Sequence, residues 1–127
     1  MEMLKNAFSW IEIPVADFGR AKKFYSDIYD FQMPEMEMGP ALMGFFLCDQ
    51  ESGGVGGAIV KEEGFVPSTA GPRVYLNGGT DLNTVLNRVE AAGGKVIQSK
   101  TEITPEYGYF AGFEDTEGNH IYLHSDH

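Results

Sequence analysis

The chain has 127 residues, 9 of them Lys or Arg and 19 Asp or Glu, for a formal net charge of −10. That length suits one domain with its own core, and the acidic balance, with no basic run longer than Lys22-Lys23, excludes nucleic acid and an anionic membrane surface as partners. A hydrophobic fraction of 43% is enough for a packed core. The one cysteine, Cys48, forbids an intrachain disulfide, and no apolar stretch is long enough to span a bilayer. Met1 to Asn6 lacks a basic flank followed by an apolar block, so the expected location is the cytoplasm.

Ile11, Ile13 and Val15 alternate with Trp10 and Glu12, which predicts a first strand. Asp17 follows as a helix N-cap, and Phe18, Ala21, Phe24, Tyr25 and Ile28 recur at helical steps up to about Asp30. Short strands are expected around Gln32 to Met38, Met43 to Cys48 and Val55 to Lys61, with Gly39-Pro40 and Gly53-Gly54 as turns. After an irregular stretch from Phe65 to Gly71 the pattern starts again. Arg73 to Asn77 alternates as a strand, Asp81 is a second N-cap, and Leu82, Val85, Leu86 and Val89 form a helical stripe that Gly93-Gly94 closes. Strands are expected at Lys95 to Gln98, Tyr107 to Glu114 and His120 to Ser125, the last after the turn Asp115 to Asn119.

Strand, helix and three strands thus occur twice, and Asp81 stands 64 residues after Asp17, about half the chain. The expected fold is α+β: two βαβββ modules, about residues 1–66 and 71–127, in a single domain. Each first strand turns its aliphatic side to its own helix. The opposite side then carries Trp10 and Glu12 in the first module, and Arg73, Tyr75, Asn77, His120, Tyr122 and His124 in the second. If those faces join into an open, barrel-like curved sheet, these residues line a central cleft.

Glu12-Ile-Pro-Val-Ala-Asp17, with Arg20-Ala-Lys-Lys-Phe-Tyr25, resembles the first repeat of the vicinal oxygen chelate superfamily, which groups glyoxalase I, bleomycin-resistance proteins and extradiol dioxygenases. Val89 to Gly94 and Phe113 to Asn119 resemble the helix end and the final turn of its second repeat. The resemblance runs over nearly the whole chain and is nearest the glyoxalase-related group. It implies a protein that binds, and in many relatives transforms, a small polar organic molecule, commonly as a homodimer. It also implies a divalent metal held by four side chains. Carried across residue by residue, those positions fall on Trp10, Arg73, Tyr122 and a residue near Ala58 or Ile59. None is a usable ligand, so no metal and no other cofactor is expected. A different class within the same family, a non-catalytic protein that sequesters a drug or metabolite, is the alternative, and an acidic surface suits a cationic drug. A metal lyase with displaced ligands Glu12 and His124 is a third reading.

The candidate catalytic residue is Glu12, because a carboxylate on such a face is expected to be at least half-buried; it is a general acid/base or the partner of Arg73 in an ion pair. Arg73 suits a substrate carboxylate. Trp10, Tyr75 and Tyr122 are pocket walls or ordinary core, and His124 is a substrate contact or a solvated side chain. His120 and His124 lie four residues apart, about 13 Å along a strand, too far for one metal ion. Cys48 is expected to be a buried, inert thiol.

Overall fold

In a computed structural model that describes residues 1–127, Asp17 has extended backbone and its Oδ1 accepts the Arg20 amide at 3.1 Å. This caps helix α1 (Phe18–Tyr29), which buries Phe18, Ala21, Phe24, Tyr25 and Ile28 along one face. The helix stops at Asp30, whose left-handed backbone (φ 52°) lets its amide reach back to the Asp27 and Ser26 carbonyls.

Strand β1 (Ile11–Pro14) precedes α1; β2 (Glu35–Met38), β3 (Ala41–Phe45) and β4 (Gly57–Lys61) follow it. Then come β5 (Tyr75–Asn77), helix α2 (Asn83–Leu86), β6 (Lys95–Thr104), β7 (Gly108–Glu114) and β8 (His120–Ser125). The strands make two four-stranded sheets, ordered β1-β4-β3-β2 and β5-β8-β7-β6. In each, the first strand pairs parallel with the last and the other pairings are antiparallel. The identical order in both halves is the expected pair of βαβββ modules, and the sheets curve without closing into a barrel.

The helix-side faces of both sheets feed a single core. Ile13 and Ile59 from the first sheet and Val15 just after β1 pack with Ala111, Phe113, Ile121 and Leu123 from the second, around residues of α1, α2 and the turns that follow α2. The rings of Phe24 and Phe113 approach to 5.7 Å between centroids. The opposite face of the first sheet has a smaller cluster, Ala41, Met43, Ala58 and Val60, partly covered by Phe45 and Phe65.

Four local expectations are corrected. Asp81 is not the cap of α2: the cap position is Leu82, and Asp81 Oδ1 accepts the Asn83 amide at 2.9 Å and Lys100 Nζ at 3.0 Å. Regular helix ends at Leu86, because Asn83, Thr84 and Asn87 are weak helix formers and the chain continues in tighter turns such as Arg88 N–H to Val85 O. Leu82, Val85, Leu86 and Val89 are nevertheless all buried. Strand β3 runs Ala41–Phe45, earlier than expected, since its register is set by β4 with Phe45 opposite Ala58. Cys48 therefore lies in a loop and is exposed, where a buried thiol was expected.

Candidate functional site

The register defines the neighbours at the junction of the two halves. Glu12 lies beside Ala58 across the β1–β4 pair, and Tyr75 beside Tyr122 across the β5–β8 pair. Both β1 and β5 are edge strands, and between them a cavity of about 660 Å³ is walled by Glu12, Pro14, Phe65, Arg73, His120 and Tyr122 among others.

Three of the six predicted site residues, Glu12, Arg73 and Tyr122, share this cavity. The Arg73 guanidinium stands 5.6 Å from the Tyr122 ring centroid, and Tyr75 stacks on the same ring at 5.2 Å and 34°. Arg73 has no carboxylate partner: the Lys and Arg ion pairs of the chain are Arg20–Glu117, Lys22–Glu35, Lys23–Asp27 and Lys100–Asp81. The expected Glu12–Arg73 pair is thus absent. Glu12 is also exposed where half-burial was expected. Its Oε2 accepts one hydrogen bond, from Trp10 Nε1 at 3.2 Å.

The other predicted residues, Trp10, Tyr75 and His124, are not part of these cavity walls. Trp10 leans on Phe45, 6.1 Å between centroids, outside the cavity walls. His124 Nε2 sits 2.6 Å from the Tyr107 carbonyl oxygen, so this nitrogen is a donor committed to the β6–β7 connection. With Tyr75 it borders a separate shallow hollow.

His120, which alternation had put on the cleft side, does line the cavity, and one contributor, Gly112, escaped the sequence reading. His120 is half-buried and its Nε2 lies 3.2 Å from Glu114 Oε1. Gly112 faces Tyr122 across β7 and β8, and a Cβ there would come 2.9 Å from Tyr122 Cε1, so the missing side chain is what lets the ring lie against the sheet. A glycine directly opposite an aromatic is the signal that could have found it.

The resemblance places metal ligands at positions that this register defines. Ala58, opposite Glu12, answers to Tyr122, opposite Tyr75; Trp10 and Arg73 each lie two residues before those partners. An indole, a methyl group, a guanidinium and a phenol make a donor set that does not fit a divalent cation, and the guanidinium brings positive charge to the spot. No group of three or more His, Cys, Asp or Glu side chains is gathered elsewhere to hold an ion.

Two mixed sheets of this order, each with its helix on one side, define the glyoxalase-type fold. Residues 7–123 match the model of the Glyoxalase/Bleomycin resistance protein/Dioxygenase superfamily, and the chain belongs to that family. A glyoxylase-like domain-containing protein from Didymella fabae is 33% identical over 124 residues, 92% of this chain and 91% of that one. The fold is similar to a glyoxalase/bleomycin resistance protein from Albidiferax ferrireducens T118, with a TM-score of 0.68, 18% identity and coverage of 93% and 98% of the two chains. It is also similar to glyoxalase I from Zea mays, with a TM-score of 0.65 and 14% identity, where 92% of this chain covers 43% of that one.

Proposed function

We propose that the protein binds a small polar organic molecule carrying an anionic group in the cavity between β1 and the β5–β8 pair, without the family's metal. The observation that carries this reading is Arg73: a cation with no carboxylate partner, set on an aromatic face in a cavity wall, in a chain of net charge −10. Tyr122 supplies an apolar surface and a hydroxyl beside it, and Glu12 is the acid/base group of any reaction that follows binding.

The exposure of Glu12 favours a second reading, sequestration without turnover, since no neighbouring residue shields this carboxylate from water. Exposed apolar side chains on the sheet surfaces, Met36 at 51%, Met38 at 52% and Tyr75 at 49%, support a homodimer. Light scattering tests it: a mass of twice the 14.0 kDa chain is expected. The cytoplasm is the proposed compartment, consistent with one exposed cysteine; no helix is long and apolar enough to cross a membrane.

A thermal-shift screen of small organic acids tests the main reading, because a ligand at 100 times its Kd adds about 2.7 kcal/mol of stability. Arg73→Gln is expected to abolish the shift for acids while leaving the unliganded melt in place; an undiminished shift overturns the anion site. Where a hit is also turned over, Glu12→Gln separates the two classes. Loss of turnover with retained binding identifies the acid/base, and unaltered turnover removes Glu12 from the chemistry.

A further inference from the structure

A second cavity, of about 600 Å³, lies on the other side of Arg73. Its walls include Ile11, Tyr29, Phe46, Leu47, Val74 and Leu76. The polar atom that Tyr29 brings is already spent, its hydroxyl donating to the Asn77 carbonyl at 2.8 Å. Phe46 is held edge-on against the buried Tyr25 at 5.2 Å, so this wall is anchored to the core. Of all the residues around this cavity, Arg73 alone carries a charge. Pro72, Arg73 and Val74 belong to the walls of both cavities, so the one unpaired cation of the site stands in the partition between a polar chamber and an apolar one.

We propose that the ligand is an amphipathic carboxylic acid: its carboxylate meets Arg73, and an unbranched apolar tail fills the second cavity. The inference rests on the anion-binding reading above and adds the class of molecule. A wholly polar acid leaves the apolar chamber unused, and a neutral apolar molecule leaves the guanidinium without its counter-charge. The chamber is within the range of about 300–1,000 Å³ that small-molecule sites occupy, ample for a medium-length chain.

Isothermal titration of the whole protein with straight-chain carboxylic acids from acetic to decanoic, and with the matching alcohols, tests this. Each methylene is expected to tighten Kd about fourfold until the chamber is full, and each acid to bind at least tenfold more tightly than its alcohol. Arg73→Gln is expected to erase the preference for acid over alcohol. Val55→Trp is expected to erase the chain-length dependence while short acids still bind, since Val55 borders the chamber and is 39% exposed. Leu47→Trp, at 63% exposure, serves if the first variant does not fold. Short acids that bind through Arg73 with no gain from added methylenes overturn the amphipathic ligand and leave the anion site standing. Failure of every acid to bind removes the anion site itself. Acids and alcohols of equal affinity overturn the carboxylate anchor.

Discussion

The hydroxyl of Tyr25, on the helix of the first half, donates to Oδ2 of Asp115, in the last turn of the second half, at 2.7 Å with both residues buried. Asp115 also accepts the amides of Glu117 and Asn119 and the Asn119 side-chain amide, so its carboxylate is fully engaged. Tyr25→Phe removes one donor of four and is expected to cost about 1–3 kcal/mol, while Asp115→Ala strands all of them and is expected to cost more. A double-mutant cycle read by denaturant unfolding checks the coupling. Additive losses mean that the bond contributes nothing beyond packing.

Burial first, and then the Asp115 charge, push the Tyr25 phenol well above its ordinary 10.0. The folded chain keeps a proton that the unfolded chain gives up, so stability is full below pH 10.0 and falls as pH rises beyond it. The fall is expected to be shallower in Tyr25→Phe. Unfolding followed from pH 8 upward decides it, and equal slopes in the two proteins exclude Tyr25 as the source.

Glu117 governs the acid side. Its side chain is covered, and burial alone would raise its pKa; the Arg20 guanidinium, the amides of Asp17 and Ala16 and the Thr116 hydroxyl together lower it below 4.5. A depressed carboxylate stabilises above its unfolded value, and that stability is lost as pH falls through the folded one. Glu117→Gln is expected to cost about 1–3 kcal/mol at pH 7 and to flatten the loss of stability below pH 4.5. Thermal melts from pH 3 to 7 measure both effects, and an acid limb as steep as in the parent protein contradicts the assignment.

Gly112→Ala is expected to displace the Tyr122 ring, because the new Cβ would meet it at 2.9 Å. A weaker thermal shift with small acids should accompany a destabilisation of about 1–3 kcal/mol. Unchanged affinity would show that the stacking of Arg73 on Tyr122 is irrelevant to binding.

Protein purified without chelator is expected to carry far less than one transition metal ion per chain in elemental analysis, and to melt at the same temperature after dialysis against chelator. One tightly held ion per chain would require ligands other than Trp10, Ala58, Arg73 and Tyr122.

The fold was largely written in local patterns. The spacing of Phe18, Ala21, Phe24, Tyr25 and Ile28 marks the buried face of α1, and the Asp115 to Asn119 turn forms where its residue types imply. Alternation assigns Glu12 and Tyr122 to one side of their strands, but it does not say what covers that side. Glu12 is therefore on the expected face and yet in solvent, and His124, with the expected parity, is drawn to the Tyr107 carbonyl by a connection distant in sequence. The apolar chamber was not legible either, because its walls come from the segment before β1, from β1, α1, β4 and β5 and from two loops, which are juxtaposed only by the tertiary fold.

The turn that receives Tyr25 also holds the start of α1 from outside: Glu117 Oε1 accepts the amides of Ala16 and Asp17 at 3.0 and 2.7 Å, across about a hundred residues of chain. During synthesis these two amides therefore stay unmet by protein until Glu117 has emerged, about a hundred residues after they have. A nascent chain stopped before Glu117 should be protease-sensitive at its front end, and emergence of Glu117 should protect a helix made long before.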